Sequence, residues 1–265
     1  MSSVADKDPA FTLIENLPFT TAKVIGSRAR IGVVVLASDY TIEHEFRAMV
    51  SIPGVDIYTA RIRNSPQITP QTLAAMEPLI TETADRILPG DDLDVLAFGC
   101  TSASTVLGGG RVATLLGEAK PKARMSDPIT AAFAAFDALG ARRIGVLTPY
   151  RRDVNEIVWR YITGNGYEVP VFGSFNEDMD PVVATIDGDS LERAIDRIRE
   201  GHKLDAVFVS CTSVRLADAV AGIERRTGLP VTSSNHALAW HCLRLAGIED
   251  RTEDRGRLFT CQLVT

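Results

Sequence analysis

The sequence predicts an α/β fold of two pseudo-symmetric Rossmann-like domains, each built on a parallel sheet, facing each other across one cleft. Three observations carry that expectation. Apolar, β-branched runs alternate with segments of helical spacing, the pattern of strands covered on both faces by helices. One phrase occurs twice: residues 94–104 and 205–215 each begin with Asp, run through a mostly apolar stretch and reach Cys-Thr-Ser, with the thiols at Cys100 and Cys211. The spacing repeats as well, since Ile31 to Ile144 is 113 residues and Cys100 to Cys211 is 111 residues. Two motifs recurring in the same order at nearly one offset point to an internal duplication.

In chain order, residues 1–29 carry Pro9 and Pro18 and read as an N-terminal arm packed on the first domain, which spans 30–141. Arg30 to Ser38 is a strand that ends at Asp39-Tyr40-Thr41, and a helix follows over 42–49. Val55 to Ile62 is a second strand. A helix over 69–87 has Thr69 as cap and Pro70 in its first turn. Leu93 to Gly99 is the third strand, with a helix over 102–116. Ser126-Asp127-Pro128 opens another helix, closed by Gly140. The second domain, 142–234, restarts with Arg143 to Thr148, which echoes the first strand and ends at Pro149-Tyr150. Helices over 153–163 and 189–200 flank a strand at 169–175. Leu204 to Ser210 carries the second Cys-Thr-Ser, with a helix expected from there to about Arg226. A short strand at 230–232 leads to a helix over 236–246, and the segment from about 235 to 265 is expected to pack back on the first domain.

Composition narrows the function. The net charge of −6, with no basic block, gives no nucleic-acid footprint. No apolar run reaches the roughly 18 residues of a membrane span, and Met1 to Lys23 lacks the pattern of a secretory signal. Four cysteines in such a chain read as free thiols in the cytoplasm. Neither a metal site nor a cofactor is expected: no Cys-x-x-Cys or clustered His accompanies the thiols, and Gly108-Gly109-Gly110 lacks the dinucleotide pattern. The expected partner is a small carboxylate substrate, leaving a homodimer open.

Ligands of parallel α/β sheets bind outside the carboxyl ends of the strands, so the polar strand endings are the candidates. Cys100 and Cys211 each precede an expected helix, whose N-terminus would lower the thiol pKa and favour a base or nucleophile. Two thiols on opposite faces of a planar intermediate could remove a proton from one face and return it to the other; two buried structural cysteines are the plainer reading. Thr101, Ser102, Thr212 and Ser213 offer a carboxylate cradle or simple N-caps. Asp39 reads as a general base, an ammonium partner or a helix cap. Tyr150 reads as a carboxylate donor or as packing. A small-acid binding protein without catalysis fits the same cleft.

These residues resemble the aspartate/glutamate racemase superfamily, and within it the maleate cis–trans isomerase and arylmalonate decarboxylase branch. The paired Cys-Thr-Ser motifs, Leu147-Thr148-Pro149-Tyr150 and Thr232-Ser233-Ser234-Asn235 carry the resemblance. The stretch Leu36 to Phe46 is most similar to racemase-like proteins of ectoine utilisation. The resemblance implies cofactor-independent chemistry at a carbon next to a carboxylate. Cys100 and Cys211 would be the catalytic pair, with Thr101, Ser102, Tyr150, Thr212 and Ser213 on the substrate carboxylate. Arylmalonate decarboxylases keep only the second cysteine, so two thiols favour racemisation or isomerisation. Maleate isomerases have Asn where this chain has Asp39, and a further Asn near Asp180. A carboxylate there disfavours a dicarboxylate and favours a substrate nitrogen, as in an amino acid or an ectoine-derived compound. The alternative is maleate isomerisation with Cys100 as covalent nucleophile.

Overall fold

Two parallel four-stranded sheets form the frame of the computed structural model, which describes residues 13–264. The first half runs β1 (Ala29–Leu36), α1 (Ile42–Met49), β2 (Val55–Ile62), α2 (Pro70–Ala74), α3 (Ile80–Asp85), β3 (Val95–Gly99), α4 (Thr101–Leu107), α5 (Gly109–Ala119), β4 (Arg124–Ser126) and α6 (Pro128–Ala138). The second runs β5 (Arg143–Thr148), α7 (Arg152–Gly164), β6 (Glu168–Ser174), α8 (Asp180–Val183), α9 (Gly188–Arg199), β7 (Ala206–Val209), α10 (Val220–Thr227), β8 (Val231–Ser233) and α11 (Ser234–Leu245). Strand orders are β2-β1-β3-β4 and β6-β5-β7-β8, so both sheets share one topology. In register, Ile31 faces Val95 and Ile144 faces Ala206, which brings the strands that precede Cys100 and Cys211 beside the central strand of each sheet.

The cores explain why these runs become strands. Val34, Leu36, Leu96 and Phe98 point to one face of the first sheet and join a core that continues through Ile144, Val146, Phe208 and Val209 of the second. Ile31, Val33, Val35 and Ala97 point to the other face and pack with α1, α6 and α11. The period-two alternation along β1 thus feeds two cores, as a doubly covered strand requires. Helix α11 is buried from Ser234 to Arg244, with Trp240 and Cys242 inside that second core beside Leu258 and Phe259. The Arg244 guanidinium donates to the carbonyls of Ile248, Asp250, Phe259 and Cys261 and so fastens the C-terminal segment. No helix among the described residues is long and apolar enough to cross a membrane.

Several elements differ from expectation, each for a local reason. The helix over 69–87 is three pieces, because Pro78 interrupts it with a 3₁₀ turn at Glu77–Leu79; Thr69 does cap its start. The helix over 102–116 breaks at Gly108, whose φ of +87° only glycine adopts readily. Strand β4 was not expected, being three residues long with Arg124 exposed. The helix expected directly after Cys211 is absent; α10 starts only at Val220. The arm over 1–29 lies partly outside the described residues, and residues 13–25 are exposed instead of packed, with Leu17 and Phe19 at 66% and 85% exposure.

Candidate active site

The carboxyl ends of β3 and β7 open on one cavity whose wall includes Cys100, Thr101, Ser102, Tyr150, Asp180, Cys211 and Thr212. Residues from both halves close it. Ile68 N donates to the Asp178 carbonyl (2.8 Å), Asp180 N to the Pro66 carbonyl (2.9 Å), and Gln67 bridges antiparallel to Met179. The solvent-sized space left inside is about 10 Å³, room for one water. A larger groove of about 560 Å³ lies between α1 and β2, but Phe46, Val50 and Ile57 line it and no thiol reaches it.

Cys100 sits at the cap position of α4 in extended conformation, and the helix starts with Thr101. Gly99 before it admits no side chain: a Cβ there would meet Ile42 Cδ1 at 2.7 Å and the Val34 carbonyl at 3.1 Å. Ser102 Oγ lies 3.7 Å from Cys100 Sγ. The Thr101 hydroxyl donates to Ser234 Oγ (2.7 Å). Cys211 has no helix behind it. Its loop, residues 212–219, is pinned from outside: the Thr212 carbonyl by Asn235 Nδ2 (2.7 Å) and the Ser213 carbonyl by Thr41 Oγ1 (2.8 Å).

Electrostatics here run against the expectation of lowered thiol pKa values. Burial pushes Cys100 up to about 12, against a lowering hydrogen bond from the Ala103 N–H, and Asp180 and Asp39 raise it further. Burial and Asp180 push Cys211 up too, against the Tyr150 hydroxyl and the Ser213 N–H. In a nearly closed cavity desolvation outweighs the N–H groups. Tyr150, 1% exposed, is also held well above its usual range by burial and then by the two thiols beside it. Asn155 Nδ2 and Ser174 Oγ both donate to its carbonyl, which fixes the strand end.

Two carboxylates stand next to the thiols. Asp39 stands two residues before Thr41, the N-cap of α1, and its Oδ1 accepts from Thr41 N (2.6 Å) and from Ile42 N (2.8 Å), the first N–H of the helix. Its Oδ2 is buried without a hydrogen-bond partner among the described residues, the nearby Thr212 hydroxyl turning instead to the Gly99 carbonyl (3.4 Å). Burial first, and Asp180 in addition, raise Asp39 to about 6. Asp180 joins the halves by accepting from Ser38 Oγ (2.7 Å) and Ser213 Oγ (3.0 Å), and burial raises it as well. Ser213, expected on the substrate carboxylate, is therefore engaged with Asp180 and does not line the cavity. No Lys or Arg lines it either.

The structure thus gathers Cys100, Thr101, Ser102, Tyr150, Cys211 and Thr212 around one cavity, with Asp39 and Ser213 outside its lining. Sequence reasoning met Asp180 only as the neighbour of a family Asn and left it out of the site residues, and it passed over Asn64, which donates to Ser38 Oγ (2.8 Å). Both follow the second strand of their half, a symmetry between strand ends that could have found them. His236 and His241 are structural. His236 sits between Thr232 Oγ1 (3.0 Å) and the Arg255 carbonyl (2.7 Å), and His241 meets Ser126 Oγ (2.8 Å).

This geometry has known counterparts. A family model described as arylmalonate decarboxylase matches residues 101–259. The chain belongs to the arylmalonate decarboxylase family. Maleate isomerase from Nocardia farcinica is 29% identical over 244 residues, covering 86% of this chain and 94% of the relative. Maleate isomerase from Pseudomonas putida is 28% identical over 253 residues, covering 87% and 97%. A solved structure of the Nocardia farcinica maleate cis–trans isomerase, a cysteine-to-serine mutant with a covalently bound succinylcysteine intermediate, superposes with a TM-score of 0.82. It is 26% identical and covers 88% of this chain and 98% of that one. The chain is accordingly an isomerase of the racemase-like superfamily.

Proposed function

We propose that the protein is a cofactor-independent racemase or isomerase that works with two thiols on a small acid bearing a nitrogen next to its carboxylate. One thiolate takes the α-proton, forming S–H and a carbanion delocalised into the substrate carboxylate. The opposite thiol then gives its proton to the other face, so the protonation of the pair is exchanged and no external reagent is consumed. Thr101, Ser102, Tyr150 and Thr212 are the donors for the carboxylate.

The observation that carries the substrate class is the pair of buried carboxylates, Asp39 and Asp180, beside both thiols with no cation on the cavity wall. Two unit charges at about 4 Å interact by roughly 1–4 kcal/mol in high to intermediate dielectric. A second substrate carboxylate would add that repulsion and raise the thiols further. An ammonium group would remove it and lower them, making a thiolate available only with substrate in place. An amino acid or an ectoine-derived diamino acid has that charge.

The test is proton exchange in D₂O followed by NMR over a panel of amino acids, diamino acids and small dicarboxylates. Exchange of an α-proton on a nitrogen-bearing acid is expected. Ready turnover of maleate with no exchange on any amino acid would sink the proposal. It would favour the second reading, maleate isomerisation through Cys100 as covalent nucleophile, which the succinylcysteine of the similar structure supports. A succinyl adduct on Cys100 would be its signature by mass spectrometry.

A further inference from the structure

Glu45 is a carboxylate in an unusual place. It lies on α1, is 2% exposed, and no ion pair reaches it among the described residues. Its Oε1 accepts from Leu216 N and Ala217 N, both at 2.7 Å, and its Oε2 accepts from Asn235 Nδ2 at 2.8 Å. Burying a carboxylate without a counter-charge is unfavourable, and only its hydrogen bonds offset that. All three serve one segment. Leu216 and Ala217 belong to the loop after Cys211, and Asn235 Nδ2 also donates to the Thr212 carbonyl at 2.7 Å.

The loop needs such an anchor. After Cys100, α4 fixes the following residues by its own hydrogen bonds, Ser104 N to the Cys100 carbonyl at 3.1 Å being the first. Residues 212–219 have no helix to fix them. The N–H of Ser213 nevertheless faces the Cys211 thiol, so the loop must be held from outside. Helix α1 does so along its length: Thr41 at its start holds the Ser213 carbonyl, and Glu45 holds 216 and 217. Asp39 accepts the first N–H of that same helix, from Ile42.

We propose that Glu45 is a positioning residue, which sets the Cys211 thiol against Cys100 by holding the 212–217 loop to α1. The role rests on the two-thiol reading; the loop geometry itself does not. Placement errors of about 1 Å can cost on the order of 10²-fold in rate. Glu45→Ala is therefore expected to lower kcat by about 10²-fold and leave KM within a few-fold.

The experiment measures the alkylation rate of each thiol by iodoacetamide with mass spectrometry on the full chain, alongside kcat and KM. In Glu45→Ala the labelling of Cys211 should change by about tenfold or more while Cys100 stays within about twofold. Glu45→Gln keeps one acceptor oxygen for the two loop N–H groups and should recover most of the Cys211 rate. It also keeps the test valid should the alanine variant fold poorly. Equal changes at both thiols, or unchanged Cys211 in both variants, would overturn the proposal. If the labelling asymmetry appears but Cys211→Ser leaves turnover intact, the anchor stands and the two-thiol reading fails.

Discussion

The ends of β3 and β7 carry the same Cys-Thr-Ser and are built differently. At Cys100 the chain turns at once into α4, and the thiol sits at the helix start. At Cys211 it enters a loop fixed by Thr41, Glu45 and Asn235, residues of other elements. The two ends still reach the same condition, a buried thiol with one backbone N–H toward it and Asp180 nearby. A duplicated strand end thus keeps its chemistry while its support changes from local to long-range. The two thiols should accordingly differ in what disturbs them more than in what they do.

The strongest way to break that comparison is to remove either thiol. Cys100→Ser and Cys211→Ser should each lower turnover by about 10²–10⁴-fold, the usual worth of a positioned acid or base, with circular dichroism unchanged. Comparable losses would mark equal partners. A variant at one end that keeps near-normal turnover would show that only the other thiol reacts.

Next comes the charge between them. Asp39→Asn leaves an acceptor for the Thr41 and Ile42 N–H groups and removes the negative charge. On the proposed nitrogen-bearing substrate, kcat/KM should fall by up to about 10³-fold, matching roughly 4 kcal/mol at intermediate dielectric. Turnover of a dicarboxylate should hold or rise. With Asp39 at about 6, wild-type kcat/KM should climb through that pH, and the climb should vanish in the variant. A pH profile unchanged by Asp39→Asn would remove Asp39 from the substrate's surroundings.

How much of this was legible follows the same divide between local and long-range support. The buried strands, the duplication and the two thiols were readable, because β-branched runs and a repeated tripeptide are written in consecutive residues. Asp39 stood out as a strand ending. The anchoring of the Cys211 loop was not readable, since Glu45 and Leu216 are 171 positions apart and only the fold joins them. The raised thiol pKa values were missed for the same reason: the lids at 64–69 and 178–180 that exclude water come from opposite halves. Nothing in Thr-Ser-Val-Arg-Leu-Ala-Asp-Ala forbids the helix expected after Cys211; the N–H groups of Leu216 and Ala217 bond to Glu45 instead, a partner that only the fold supplies.

Stability against pH sharpens the comparison further. Burial lifts Asp39 from 3.8 to about 6 and Glu45 from 4.5 to about 7. The folded state therefore binds more protons than the unfolded one between about pH 4 and pH 7, and these two groups withdraw stability as pH rises through that window. At about 1.4 kcal/mol per pKa unit, each withdraws on the order of 3 kcal/mol. Asp39→Asn and Glu45→Gln should each melt at higher temperature relative to wild type as pH rises from 4 to 7. A melting difference that stays flat over this range would show that the carboxylates carry their charge without cost.

The smallest expected effect belongs to Gly108, where α4 ends. A Cβ there would meet no atom within 4 Å, so only the backbone resists substitution, at φ +87° and ψ 132°. That region costs a non-glycine residue about 1–3 kcal/mol. Gly108→Ala should lower Tm by several degrees, and because it loosens the end of the helix that starts at Cys100, alkylation should quicken at Cys100 and not at Cys211. Gly110→Ala is the control. It lies inside α5 with equal space around its Cβ and no positive φ, so it should raise stability by about 0.5–1 kcal/mol. If Gly108→Ala quickens Cys211 as much as Cys100, the two strand ends share their support after all, and the contrast between a local and a long-range scaffold is lost.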